Sequence, residues 1–221
     1  ADHAIRPQPR SRGLGDVYKR QGLVSLTEVL FYDLYDILDG VAVASDGPVK
    51  SVFVAHKKPF EELEVIQCDT ASLSSLNLLK VTLAKRGLSP RLEPLDDYAC
   101  AAEREAVLLI GNPGLEFLRS PHGHQIFDLG QAWQEDTGLP FVYAVWAIRR
   151  DQRPPGLGQA LLQAKQDGLA KLGEIIATHP EFDAEVIRGY LQLRRELLSA
   201  EGLSLIHISE PTRPRLISYA V

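Results

Sequence analysis

Three serines stand within four residues in the stretch Asp69-Thr-Ala-Ser-Leu-Ser-Ser-Leu76, at positions 72, 74 and 75. Beyond them apolar residues recur at Leu73, Leu76, Leu79 and Leu83, with Leu78 and Val81 widening the stripe. That periodicity predicts an amphipathic helix whose first turn carries the hydroxyls. A helix start exposes unpaired N–H groups and the positive end of the dipole, so hydroxyls gathered there make a seat for a carboxylate. Plain N-capping also accounts for a serine in this place, and both readings stand on the residues alone. Other reactive side chains are less suggestive. His122-Gly-His124 offers two imidazoles in a loop without a third ligand, which is the pattern of solvated histidines and not of a metal centre. Cys68 and Cys100 have neither metal nor redox spacing and read as two reduced thiols. Gly13-Leu-Gly15 lacks the preceding strand and following helix that a phosphate loop requires.

The serine helix needs strands to hold it. Apolar runs predict short strands at 65–68, 91–95 and 106–110, and residues 125–127 lead into another ordered stretch. Gly111-Asn-Pro-Gly114 reads as a turn into a helix over 115–118, and a helix is expected from about Asp96 to Glu103. From Leu129 to about Asp136 the pattern is helical; Gly138 then ends the helix and Pro140 forbids its continuation. Phe141 to Ile148 is an unbroken apolar run, as in a central strand buried on both faces. Towards the start of the chain, 23–26 is a short apolar stretch, Thr27 and Glu28 begin a helix to about Leu34, and strands are expected at 41–44 and 49–55 around a turn at 45–48. Packing helices follow Gly158, the last capped by Asp183. Strands alternating with helices, with crossing strands at 49–55 and 141–148, predict an α/β protein of two lobes with a ligand cleft between them.

Composition narrows the partners. The chain has 221 residues, 45% of them hydrophobic, and no apolar run near the roughly 18 to 20 needed to span a bilayer. A soluble, cytoplasmic protein is expected. Residues 1–21 and 203–221 hold 7 of the 24 basic but only 3 of the 29 acidic residues, so the stretch between them is more acidic than the net charge of −5 implies. Nucleic acid and anionic membranes need a basic face and are not expected partners, whereas a small anionic molecule can be held by local dipoles. Both end segments lack a periodic apolar face, and 12–21 and 203–214 look like translated adapter sequence, so 1–21 and 203–221 are expected to be non-native tails.

The run from Asp128 to Ile148 resembles the signature of the chorismate dehydratase family of the futalosine route to menaquinone. The matching residues are Asp128, Leu129, Gly130, Trp133, Thr137 to Val142 and Ala144 to Ala147. The related 1,4-dihydroxy-6-naphthoate synthase family shares Asp-Leu-Gly and Thr-Gly-Leu-Pro but usually lacks the Ala-Val-Trp-Ala ending. Ser72 and Ser75 match the family's Ser-x-Thr-Ser pocket, with Ser74 in place of Thr. Ser45, Gly47, Val49, Ser51 and Val52 match as well, while Asn112-Pro113-Gly114 departs from Gly-Asp-x-Ala.

The resemblance implies a periplasmic-binding-protein-like type II fold. Its first lobe, incomplete here, would comprise 22–50 and 146–202, and its second lobe 51–145. The implied reaction converts chorismate to 3-[(1-carboxyvinyl)oxy]benzoate and water, without metal or cofactor. It would place Ser72 among the catalytic residues and Ser25, Ser74, Ser75, Gly111, Asn112 and Thr137 in contact with the substrate. No side chain in the pattern is an evident base, which leaves a substrate carboxylate for that role. Family members carry a further N-terminal strand and helix, so a chain without them is expected to be a poor catalyst. A non-catalytic solute-binding domain of the same fold is the alternative.

Overall fold

The computed structural model describes residues 21–31, 34–152 and 154–177. The helix expected after Asp183, residues 1–20 of the first tail and the whole of 203–221 lie outside them. The described chain folds as two sheets with helices, a mixed α/β architecture. In the first sheet, β1 (Gln21–Ser25) and β2 (Tyr35–Ser45) flank β8 (Phe141–Arg149), both antiparallel to it. The second sheet has five strands in the order β5 (Arg91–Pro94), β4 (Val65–Cys68), β6 (Ala106–Ile110), β3 (Val52–His56), β7 (Gln125–Asp128). There β4 is parallel to both β5 and β6, whereas β3 is antiparallel to β6 and β7. The helices are α1 (Leu26–Phe31), α2 (Leu73–Lys85), α3 (Asn112–Arg119), α4 (Leu129–Thr137), α5 (Leu157–Ala170) and α6 (Leu172–Ala177). Among the described residues no helix is long and apolar enough to cross a membrane.

A smaller buried cluster of Ala42, Ala44, Val142 and Val145 lies on the first sheet, and two others lie on the faces of the second. On one face Val54, Ile66, Cys68 and Leu108 pack with Leu78, Leu79 and Leu83 of α2 and with Leu129 of α4. On the other, Phe53, Ala55, Val107 and Leu109 pack with Phe117 of α3 and Ala101. All five residues of β3 are therefore buried, which explains why its sequence does not alternate. Each large aliphatic side chain so buried contributes about 2 kcal/mol. Helices α2 and α4 lie side by side and are pinned at their ends, where the Arg86 guanidinium meets the Asp136 carboxylate at 2.8 Å.

Several boundaries differ from the sequence-based expectation. Strand β2 begins at Tyr35, six residues early, because Tyr35, Asp36 and Ile37 pair with β8 and a bulge between Ile37 and Ala42 takes up Asp39 and Gly40. Strand β3 begins only at Val52, because the amides of Val49 and Lys50 turn to the Asp128 carboxylate. The segment at 98–103 is a 3-10 helix rather than an α-helix, capped by Asp97. The chain passes between the sheets through 46–51 and returns through 138–140, so each candidate crossing strand belongs to one sheet. Residues 141–145, expected in the second lobe, pair within the first sheet. Helix α5, read as a packing helix, buries no residue among those described.

Candidate functional site

Topology selects one edge of the second sheet. The chain leaves β4 through α2 towards β5 on one flank, and leaves β6 through α3 towards β3 and β7 on the other. The direction of winding thus reverses between the neighbouring parallel strands β4 and β6, and in open α/β sheets ligands bind outside the carboxyl ends of strands at such a point. Three helix N-termini meet this edge, those of α2, α3 and α4, because β4, β6 and β7 all end there.

The N-terminus of α4 is already filled. Asp128 caps it, accepting the amides of Gly130 at 2.9 Å and Gln131 at 3.0 Å. The same carboxylate accepts Val49 N–H at 3.1 Å from each oxygen and Lys50 N–H at 2.8 Å. One internal anion therefore satisfies a helix start and anchors the crossing segment. Gly130 makes this contact possible, since a Cβ on it would stand 2.5 Å from the Gly47 carbonyl oxygen.

At α2 the serines form two small networks. Ser72 caps the helix; its Oγ accepts the Ser75 amide at 3.3 Å and the Ser75 hydroxyl at 3.1 Å. Ser74 reaches out of its sheet to the junction of β1 and α1. Its Oγ accepts both the amide and the hydroxyl of Thr27, each at 3.3 Å, and lies 2.7 Å from Ser25 Oγ. Ser25 Oγ in turn accepts the Ser74 amide at 3.1 Å.

Counting protons assigns the directions. A hydroxyl has one proton and two lone pairs. Ser74 Oγ spends both lone pairs on Thr27, so its proton goes to Ser25; Ser25 then has both lone pairs occupied. Ser72 likewise has both occupied by Ser75. The O–H protons of Ser25 and Ser72 are left without an acceptor inside these networks. Ser74 and Ser75 are buried at 1% exposure, while Ser25 and Ser72 are partly exposed, so the two remaining donors belong to the side chains a ligand can reach. Beside them Asp69 is buried; its Oδ1 accepts the Ala71 amide at 2.8 Å, and its Oδ2 has no hydrogen-bond partner among the described residues.

Gly111, the N-cap of α3, has φ +68° and ψ −137°, a conformation close to glycine-only, and its amide donates to the Ser51 carbonyl at 2.7 Å. A Cβ here would meet nothing within 4 Å, so the space beside it is open. Asn112 is exposed as the first helical residue, and no side chain caps this helix.

The edge thus gathers Ser25, Ser72, Ser74, Ser75, Gly111 and Asn112. Thr137 is not among them. It lies at the far end of α4, about 13 Å along the axis from Asp128, where its hydroxyl donates to the Trp133 carbonyl at 2.7 Å and accepts the Leu139 amide at 3.1 Å. Nor is His124 solvated, as its loop position suggested; it is buried, with Nδ1 2.6 Å from the His122 carbonyl and Nε2 2.8 Å from that of Arg104. Sequence reading missed Asp69, Lys50 and the second role of Thr27. An Asp directly before a helix was a legible cap signal at 128, but its grip on 49–50 crosses 79 positions and had none.

Residues 21–204 match the model of a family described as menaquinone biosynthesis. A chorismate dehydratase of Thermus thermophilus is 34% identical over 173 residues, covering 69% of this chain and 64% of the relative. A 1,4-dihydroxy-6-naphthoate synthase of the same organism is 25% identical over 180 residues, covering 78% of this chain and 64% of the relative. The chain therefore spans just under two thirds of the length of these curated relatives. Two solved structures share the fold. A protein from Archaeoglobus fulgidus matches with TM-score 0.60 at 22% identity, covering 81% of this chain and 71% of its own. An ABC transporter from Parabacteroides distasonis matches with TM-score 0.51 at 13% identity, covering 88% and 76%.

Proposed function

We propose a function from one premise: this chain belongs to the menaquinone biosynthesis family. Its two sheets are the cores of two lobes of a periplasmic-binding-protein-like type II fold, a reading supported by the fold shared with an ABC transporter. Its activity is that of a chorismate dehydratase, as in the 34% identical relative. The reaction breaks the C–H bond at the ring carbon bearing the enolpyruvyl ether and the C–O bond of the neighbouring hydroxyl. A ring double bond forms between those carbons, water leaves, and 3-[(1-carboxyvinyl)oxy]benzoate remains. Because aromatisation drives this elimination, the protein's task is to orient the substrate and stabilise charge.

The observation that carries the proposal is the pair of O–H donors left by Ser25 and Ser72 at the α2 N-terminus. They form a carboxylate seat together with the helix dipole. Ser74 and Ser75 act from behind, fixing the lone pairs of the two outer serines so that their protons face outward. Gly111 and Asn112 form the adjoining wall. Binding of 3-[(1-carboxyvinyl)oxy]benzoate measured by calorimetry tests the seat: Ser25→Ala and Ser72→Ala each weaken it by about 1.5–3 kcal/mol, the scale of a hydrogen bond to a charged acceptor. Turnover of chorismate to an aromatic product, followed by absorbance and mass, tests the chemistry. Binding without turnover favours a solute-binding role, and unchanged affinity in both variants refutes the seat.

A further inference from the structure

Among the described residues Lys50 is the one non-glycine with a left-handed backbone, at φ +60°. An L-residue is strained there, whereas glycine adopts the conformation freely. The conformation is imposed by Asp128: with both Val49 and Lys50 amides drawn to one carboxylate, the chain must turn sharply before β3 begins. Glycine would meet every backbone requirement at this position. A lysine held there against the strain points to a use for its side chain.

Its location gives that use. Lys50 immediately precedes Ser51, whose carbonyl accepts the Gly111 amide, and Val52 pairs with Ile110 at the end of β6. It therefore sits on the edge where α2 and α3 begin. One strand, β6, separates β3 from β4, so Lys50 and the serine seat are about two strand spacings apart, roughly 10 Å. The lysine is exposed, and its ammonium forms no ion pair among the described residues, in a chain of net charge −5. A bound carboxylate in the serine seat leaves an exposed cation across the same edge for a second negative group.

We propose that Lys50 binds the second carboxylate of a dianionic ligand and makes the site select dicarboxylates over monocarboxylates. This rests on the carboxylate seat proposed above and adds Lys50 to it.

Calorimetry with two probes, benzoate as the monoanion and isophthalate as the dianion, tests it on the full chain. Lys50→Met and Lys50→Gly are expected to weaken isophthalate about tenfold, as for loss of a charge-assisted contact, and to leave benzoate within about twofold. Lys50→Gly also relieves the strain and raises the melting midpoint by about 2–4 °C, which Lys50→Met does not. A loss of isophthalate affinity in a more stable protein separates binding from folding. Isophthalate affinity within about twofold of the unmodified chain in Lys50→Met, or an equal loss for both probes, overturns the assignment. An unmodified chain that binds neither probe refutes the serine seat itself, before any variant is compared, and takes this assignment with it.

Discussion

Replacing Gly130 by Ala tests whether the two crossing segments are held together as described. The new Cβ would lie 2.5 Å from the Gly47 carbonyl oxygen, 2.8 Å from Ser45 Oγ and 3.1 Å from the Tyr143 hydroxyl, where ordinary contact begins at 3.4 Å. The Ser45 side chain can rotate, but the Gly47 oxygen belongs to the backbone of the crossing segment. Either that segment or the first turn of α4 must move by nearly 1 Å, and the movement loosens the Asp128 carboxylate from four amides at once. Overpacking costs about 1–3 kcal/mol and weakened charged hydrogen bonds add to it, while better helix propensity returns about 1 kcal/mol. The expected net loss is about 2–4 kcal/mol. Gly168→Ala in α5 provides the internal control: a Cβ there meets nothing within 4 Å, so only propensity acts and stability rises by about 0.5–1 kcal/mol. Urea unfolding of both variants, with the slope checked for constancy, reads the difference directly. A loss below about 1 kcal/mol for Gly130→Ala, or equal losses for the two, refutes the close approach on which the joint between the sheets rests.

Two further outcomes follow from the same structure. Asp128→Ala leaves the first turn of α4 and the amides of Val49 and Lys50 without their shared acceptor, and should cost about 3 kcal/mol in urea unfolding; Asp128→Asn, which keeps one carbonyl oxygen, should lose less. Burial pushes the Cys68 thiol up to about 12, so in the native protein at pH 8 a thiol reagent should label Cys100 and reach Cys68 only on unfolding. Since the unfolded thiol ionises first, near its ordinary value of 9.0, Cys68 should favour the fold below that pH and progressively less as pH rises towards 12, an effect that Cys68→Ala would remove from the pH dependence of the midpoint.

Elements governed by local chemistry were legible in the sequence: β4, β6 and β8, α2 with its Ser72 cap, and the end of α4 at Gly138, whose φ is +69°. Periodicity, capping and glycine's backbone freedom act over a few residues, so a window of sequence carries them. The cluster of three serines at one helix start was visible as well. What it could not reveal was their division of labour. Ser25 and Ser74 meet across 49 positions, and only that contact decides which hydroxyl keeps a free proton. Thr137 belongs to a matching motif, yet a helix of nine residues carries it to the far end from the edge and uses its hydroxyl locally. Asp128 reads as a cap for its own helix, while the fold makes it the acceptor for a segment 78 and 79 positions away and so sets the backbone of Lys50. These roles arise where chain segments distant in sequence share one polar group. No local preference encodes such sharing; it exists only once the two sheets are packed and that group has a limited number of lone pairs and protons to distribute.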